Sequence, residues 1–365
     1  MIISKGLKVM FDKIAGQLLA ELEKCNNCKV CQDKCSIFRV LGKYAPYEKL
    51  KAVRDIVQAK EKPENWEAVF LCTKCEACDE SCPESIPITK IIDLGRNYCV
   101  QKWGIQYSRQ TSIIENISKF ANPFGNQESR LTWLKEEIPE RSDTLLHLGC
   151  MISYPLSSMG KSIVRILKKL KIDFTISPEE RCCGYFVYNT GNHKEAQALI
   201  SQNSKTFDQY EQIITACAGC YTFFKEHYSL NRPVKHVIEV VFENLGKLKL
   251  GKPFVGEKSI FQDSCHIARP HGITEAPRSI LKRTELELIE FDSALCCGAD
   301  GGMRIINLNI ALEVGKMRLL EAKEKSDLLI TLCPFCIAHF RDASQKFNIA
   351  IQISDLFEIL EQAIL

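Results

Sequence analysis

Ten cysteines in the second half of this chain form one pattern written twice, and that repetition limits the possible folds more than any other feature. The first copy is Cys150, the adjacent pair Cys182 and Cys183 followed by Gly184, then Cys217 and Cys220. The second is Cys265, the pair Cys296 and Cys297 followed by Gly298, then Cys333 and Cys336. Corresponding cysteines lie about 115 residues apart throughout, so a whole unit has been duplicated with its spacing kept.

Each half has the same coarse plan. In the first, residues 143–148 read as a strand running into Cys150, and a helix follows with Ile163, Val164, Ile166, Leu167 and Leu170 on one face. A second strand at 172–176 leads to Cys182 and Cys183, a helix covers about 193–210, and a strand at 212–215 ends before Cys217. In the second half, strands at 259–262, 286–291 and 328–331 lead to Cys265, Cys296 and Cys333, with a helix around 310–322 carrying Val314, Met317 and Leu320. Strands alternating with helices imply parallel βαβ units. The cysteines then gather at the carboxyl edge of the strands, where open α/β sheets hold their ligands. Two thiolates on adjacent residues facing one cluster leave little room, which would explain Gly184 and Gly298. The run from Gly298 to Gly302 extends that reading, its backbone N–H groups able to approach a cluster or a bound anion. A vicinal disulfide or a zinc site needs fewer than five thiols.

The first third carries a different pattern. Cys25, Cys28, Cys31 and Cys35 are spaced C-x2-C-x2-C-x3-C, and Cys72, Cys75, Cys78 and Cys82 repeat it, followed by Pro83. Three thiolates at intervals of three wrap one cluster while the fourth projects towards another. The spacing therefore predicts one cubane [4Fe-4S] cluster on Cys25, Cys28, Cys31 and Cys82, and a second on Cys72, Cys75, Cys78 and Cys35. Zinc normally takes two separated pairs, so triple runs argue against it. Helices are expected at about 47–60, 64–71 and 88–103, the last carrying Cys99 as a buried small apolar residue. Leu7, Met10, Phe11, Ile14, Leu18 and Leu22 form a helical stripe before the first run, suited to packing on this part or to docking on a partner or membrane surface.

Composition excludes several classes. With 48 basic and 45 acidic residues the net charge is +3, which gives no case for nucleic acid. The 19 cysteines are an odd number in a chain of 365 residues, and the N-terminus has no secretory pattern, so a reducing, cytoplasmic setting with metal ligation is expected. No apolar run reaches the roughly 18 to 20 residues of a membrane span, and membrane attachment is expected only through a partner, at the periphery. From Gly104 to Arg141 the chain loses periodicity; a linker is read there, with Phe124 and Trp133 lying against a domain surface.

The cysteine-rich first third resembles the alpha-helical ferredoxin domains of fumarate reductase and of the C-type heterodisulfide reductase subunit. It departs at Ser36, where a proline often follows the fourth cysteine. The stretches His147-Leu148-Gly149-Cys150, Arg181-Cys182-Cys183-Gly184, Ala216-Cys217-Ala218-Gly219-Cys220-Tyr221, Asp263-Ser264-Cys265-His266, Leu295-Cys296-Cys297-Gly298-Ala299 and Cys333-Pro334-Phe335-Cys336 resemble the CCG domains of the B-type heterodisulfide reductase subunit. Here the departure is Ser264, where proline commonly precedes the cysteine. The fused whole is similar to the D-type heterodisulfide reductase subunit and to iron-sulphur subunits of glycolate, D-lactate and glycerol-3-phosphate dehydrogenases. The resemblance implies a multidomain chain, a ferredoxin domain over 1–105, a linker over 106–142, and duplicated α/β CCG domains over 143–252 and 253–365. It also implies that each complete five-cysteine motif holds a noncubane [4Fe-4S] cluster, and that two such clusters face each other.

Two functions follow from that likeness. In the first, electrons pass through the two cubanes to the two noncubane clusters, which reduce a disulfide such as CoM-S-S-CoB, with a flavoprotein or b-type cytochrome as redox partner. In the second, the chain relays electrons from a FAD-linked glycolate- or lactate-type dehydrogenase. His266, Arg269, His271 and Arg304 can steer an anionic substrate, or serve only as solvated or capping residues. No dinucleotide fingerprint, P-loop or flavin motif is seen, so flavin and nicotinamide chemistry are expected in a partner.

Overall fold

The run Leu328–Thr331 is buried at every position, and three other short segments are buried at all but their first. Uninterrupted burial belongs to strands covered on both faces, as in parallel sheets. The computed structural model, which describes residues 16–365, has two such sheets. β1 (Thr144–His147), β2 (Gln212–Thr215) and β3 (Val234–His236) stand in the order β1-β2-β3. β4 (Lys258–Phe261), β5 (Glu287–Ile289), β6 (Leu328–Thr331) and β7 (Gln352–Asp355) stand in the order β5-β4-β6-β7. Every ladder is parallel.

The duplication seen in the sequence is therefore a duplication of topology. Leu145 of β1 makes a parallel bridge to Thr175 on the side where β5 pairs with β4 in the other sheet. The strand expected at 172–176 is reduced to this one bridge. Pro178 follows almost at once, and a residue without an N–H cannot extend a ladder. β3 and β7 were not expected from the sequence. Each lies beyond the last cysteines of its half and completes the sheet.

The chain divides into two compact units. Both sheets belong to the unit made of Thr111–Tyr185, Lys194–Ser293 and Gly315–Leu365. Its helix Ser108–Phe120 begins just before that boundary and occupies part of the stretch read as linker. Trp133 is half-buried against this unit, as expected, its indole N–H donating to the Ser153 carbonyl at 2.9 Å. The other unit joins the described residues up to Gln110 with two later stretches, Phe186–His193 and Ala294–Val314.

That second unit is helical. Pro46–Gln58 opens with proline, which suits the first helical turn, and Glu48 accepts from the Ala45 N–H at 2.6 Å to close the N-terminus. Its buried face, Leu50, Val53 and Ile56, packs with Ile88, Ile91 and Ile92 of the helix Ile88–Trp103. Between them Glu64–Phe70 forms a 3-10 helix, tighter than the α-helix expected there. Cys99 is fully buried, and burial pushes its thiol up to about 12. Leu18 and Leu22 pack on the same core, whereas Leu7, Met10, Phe11 and Ile14 fall outside the described residues.

Candidate iron-sulphur sites

The first eight cysteines line two cavities. Cys25, Cys28, Cys31 and Cys82 surround one, with Tyr47, Pro83 and Ile86. Cys35, Cys72, Cys75 and Cys78 surround the other, with Lys49, Thr73 and Thr89. Each cavity thus takes three cysteines from one run and the fourth from the other, the crossing that the spacing predicts. The loops curl tightly enough because Asn27, Lys29, Lys74 and Glu76 adopt left-handed backbone angles (φ 56–65°).

The two cavities differ electrically. At the first, burial raises the Cys31 thiol to about 11, and its neighbours Cys25 and Cys28 push the same way. At the second, burial also raises Cys72, but Lys49, Arg96 and Lys74 oppose it. Lys49 is 1% exposed, with its ammonium 3.6 Å from the Cys35 sulphur. Burial works against that charge, and the sulphurs of Cys35, Cys72 and Cys78 outweigh it to hold the lysine above its ordinary range. Sequence reasoning missed Lys49, which lies between Glu48 and Leu50 in a helix that otherwise reads as amphipathic.

In the sheet-bearing unit the first repeated motif converges completely. Cys150 begins a helical turn directly after β1, Cys217 caps the helix Ala218–His227 after β2, and Cys220 lies in that helix's first turn. Cys182 and Cys183 sit on a loop pinned by three hydrogen bonds. The Cys182 N–H donates to the Ala121 carbonyl at 2.8 Å, Asn203 donates to the Cys182 carbonyl at 3.0 Å, and the Tyr228 hydroxyl donates to the Cys183 carbonyl at 2.6 Å. Cys183 and Cys220 sulphurs are 3.3 Å apart, and Cys150 interacts with both Cys182 and Cys217.

Beneath this set lies a buried ion pair between Arg130 and Glu180, 4% and 2% exposed. Glu180 also accepts from the N–H groups of Leu148 and Gly149 at 3.0 and 2.8 Å, tying the Cys182 loop to the Cys150 turn. His147 lies 3.4 Å from the same carboxylate, yet burial lowers its pKa, so the ring there is neutral and the contact is not an ion pair.

The donor chemistry fits a polynuclear iron cluster. Hydrogen bonds from Cys182 and Cys220 pull Cys183 below an ordinary thiol, while the hydrogen bond to Cys182 and burial push Cys150 far above one. Five adjoining sulphurs cannot all ionise against each other in a buried site, and a cationic metal core removes that conflict.

The second motif repeats the local positions. Cys265 begins the helix Cys265–His271 after β4, Cys333 caps Pro334–Phe347 after β6, and Cys336 lies in its first turn. Cys296 and Cys297 are buried in a loop belonging to the helical unit. There the Cys296 N–H donates to the Ser36 hydroxyl at 3.1 Å, and that hydroxyl lies 3.4 Å from the Cys296 carbonyl. The residue at which the chain departs from the ferredoxin pattern thus touches this loop.

The paired-cysteine glycines have a different cause from the one expected. Gly298 has φ +95°, and a Cβ there would lie 2.7 Å from Val314 and 2.8 Å from the Ala311 carbonyl. Gly184 has φ +93° and faces Leu199 and Phe223. At Gly184 the backbone angle favours glycine, its neighbours lying at ordinary contact distance. At Gly298 the backbone angle and the closeness of Val314 and the Ala311 carbonyl both do, and no sulphur is among the nearest atoms at either.

His266 is buried, its ring 3.0 Å from the Tyr185 hydroxyl. His271 lies 3.2 Å from the Thr222 hydroxyl, and burial lowers its pKa. Both therefore join the helix Cys265–His271 to residues around the first motif, a role that sequence reasoning did not distinguish from surface steering. Arg269 is partly buried on that helix, and Arg304 lies in the helical unit on Met303–Ile306.

A helical part with two crossed four-cysteine sites, joined to duplicated parallel sheets with cysteines at their carboxyl edges, defines an iron-sulphur redox protein. Residues 144–225 and 260–341 match the model of the cysteine-rich CCG domain, and residues 21–86 match a 4Fe-4S dicluster domain. An uncharacterised iron-sulphur protein of Methanocaldococcus jannaschii is 30% identical over 90% of this chain and 69% of its own length. The EtfAB:quinone oxidoreductase of Syntrophomonas wolfei is 30% identical over 81% of this chain, which spans 46% of that protein. The D-type subunit of dihydromethanophenazine:CoB–CoM heterodisulfide reductase of Methanosarcina barkeri is 26% identical over 95% of both chains. The chain belongs to this CCG-domain iron-sulphur family, related to the D-type heterodisulfide reductase subunit. Among the described residues no helix is long and apolar enough to cross a membrane.

Proposed function

We propose that this chain is the iron-sulphur subunit of a disulfide-reducing oxidoreductase. Electrons enter at the eight cysteines of the helical unit and leave at the ten CCG cysteines. There a disulfide takes up two electrons and two protons, its S–S bond breaks and two thiols form. The observation that carries this reading is the convergence of Cys150, Cys182, Cys183, Cys217 and Cys220 on one buried site. Five sulphurs exceed the four corners of a cubane, which suits the noncubane cluster that the family resemblance implies.

In this reading Cys25, Cys28, Cys31 and Cys82 hold one cubane and Cys35, Cys72, Cys75 and Cys78 the other. Cys265, Cys296, Cys297, Cys333 and Cys336 hold the second noncubane cluster. When bound, the clusters supply one-electron steps and iron sites at which a thiolate charge is neutralised. The chain's own residues fix the loops: Glu180 ties Cys182 to Cys150, and Ser36 holds Cys296. A flavoprotein or b-type cytochrome delivers the electrons, and any membrane contact runs through that partner.

The test uses anaerobically prepared protein with dithionite as donor and the coenzyme M–coenzyme B heterodisulfide as substrate. Cys183→Ser and Cys297→Ser should each abolish thiol formation, because a disulfide has two sulphurs to accept. Added coenzyme M should produce a new paramagnetic resonance signal in the oxidised wild type that disappears with Cys297→Ser. Turnover surviving in either variant, or no thiol-dependent signal, sinks the disulfide reading.

One observation favours a second reading, electron relay for a flavin dehydrogenase. The EtfAB:quinone oxidoreductase relative is 30% identical, against 26% for the heterodisulfide reductase relative. A relay would take electrons from a flavoprotein, and thiols would leave its spectrum unchanged.

A further inference from the structure

The cavity lined by Cys35, Cys72, Cys75 and Cys78 has the buried Lys49 and the exposed Lys34 in its own lining, with further charged groups close by. Lys74 pairs with Asp93 and also donates to the Thr89 carbonyl at 2.7 Å. Asp79, beside Cys78, accepts from the Thr89 N–H at 3.1 Å and hydroxyl at 2.6 Å. Arg96 is fully buried and gives its donors to the carbonyls of Val69, Phe70, Cys72, Asn189 and Gly301. Lys49 has no carboxylate partner among the described residues; its hydrogen bond goes to the Cys35 sulphur at 3.6 Å. Asp300, also buried, stands beside Gly301, so what sets Lys49 apart is its place in the cavity lining, against a ligand sulphur. Around the Cys25, Cys28, Cys31 and Cys82 cavity the charged lining residues are Lys29 and Glu84, opposite in sign and both exposed to solvent.

A fixed positive charge at a buried site favours the reduced, more negative state of a neighbouring redox centre. At about 4 Å and an effective dielectric of about 20, a unit charge changes such an equilibrium by more than tenfold. At an exposed site water and salt screen the effect. The position of the second cavity gives the asymmetry a direction. Cys35 is followed in the chain by Ser36, whose hydroxyl accepts the Cys296 N–H at 3.1 Å, and Cys72 shares Arg96 with Gly301.

We propose that Lys49 makes the cluster on Cys35, Cys72, Cys75 and Cys78 the higher-potential cubane, so that an electron given to the helical unit settles beside the Ser36–Cys296 hydrogen bond. Lys49 thereby acts as a positioning residue for electrons: it touches a cluster ligand and no substrate. One-electron transfer between two cubanes is balanced, one cluster oxidised and the other reduced, and protons need not move. The inference rests on the assignment of these cysteines as cubane ligands.

The experiment is a redox titration of the full-length chain with dithionite and mediators, followed by electron paramagnetic resonance. Two cubane signals should appear at separate midpoints in the wild type. Lys49→Met, of similar length and uncharged, should lower the upper midpoint by at least a tenfold change in the reduced-to-oxidised ratio, about 59 mV for one electron, and leave the lower one in place. Lys49→Arg, which keeps the charge, should stay near the wild type. A common midpoint in the wild type overturns the proposal without any variant. So does a Met variant, matched in iron content, that moves neither signal or both alike, and so does an Arg variant that falls as far as the Met variant. A wild type lacking cubane signals would instead overturn the ligand assignment.

Discussion

Single residues decide how the cysteine loops are held, and the decisive ones are not cysteines. Gly301 has φ +64°, and a Cβ there would lie 2.2 Å from the Cys72 carbonyl oxygen and 2.7 Å from the Thr73 carbonyl carbon. Both neighbours are backbone and cannot swing away. Gly301→Ala should therefore lower stability by at least about 2 kcal/mol, through strain at positive φ together with overpacking. A melting curve close to that of the wild type would contradict this contact. The glycine itself was visible in the sequence, in a run expected to approach a cluster or an anion. Its actual neighbour, a backbone carbonyl more than two hundred residues earlier, was not. Arg96 and Lys49 were equally hidden, because charged residues on helices ordinarily mark the solvent face. Nothing local tells that they are buried; the cavity and the later loops do that.

Elements were legible where burial is continuous and the run is long enough to show a period. β2 and β6 fall at the positions expected, and the helix Ile88–Trp103 does too. β3, three residues long, and β7, which ends in a capping aspartate, carry too few positions for periodicity to register. That aspartate carries a prediction. Asp355 caps Leu356–Ala363 through one oxygen, which accepts from the N–H groups of Phe357 and Glu358 at 2.9 and 3.2 Å. Burial pushes its pKa well above the ordinary carboxylate range, with Glu358 adding to the rise. A carboxyl with a raised folded pKa contributes stability that is complete below about pH 4 and is lost as pH climbs through the folded value. Asp355→Asn keeps the capping acceptor but cannot ionise. Its melting temperature should gain on the wild type as pH rises from about 4, each unit of pKa separation being worth about 1.4 kcal/mol. A gap that stays constant or narrows from about pH 4 upward would show that Asp355 is not held protonated.

For the whole molecule, the duplicated cysteine register gave the two-sheet plan in advance, and the structure bears it out in the shared strand order. Sequence reasoning divides a chain into consecutive segments, however, and the helical unit is not consecutive. It takes in Phe186–His193 and Ala294–Val314, and with the latter Cys296 and Cys297. Eighteen cysteines assigned to four sites predict about 16 irons per chain after anaerobic reconstitution. An iron assay near eight, or zinc in its place, would remove the CCG cysteines from the ligand set.

The same discontinuity sets an order in time. Arg96 is made early, but two of the carbonyls that satisfy its guanidinium, on Asn189 and Gly301, emerge from the ribosome much later, the second 205 residues on. At about 5–20 residues per second that interval lasts roughly 10–40 s. Throughout it, the nascent N-terminal part holds a buried-type cation with unfilled donors and cysteine loops lacking their last supports. Iron delivered during translation therefore meets a Cys72 loop without its Gly301 neighbour, and iron delivered afterwards meets the loop with it.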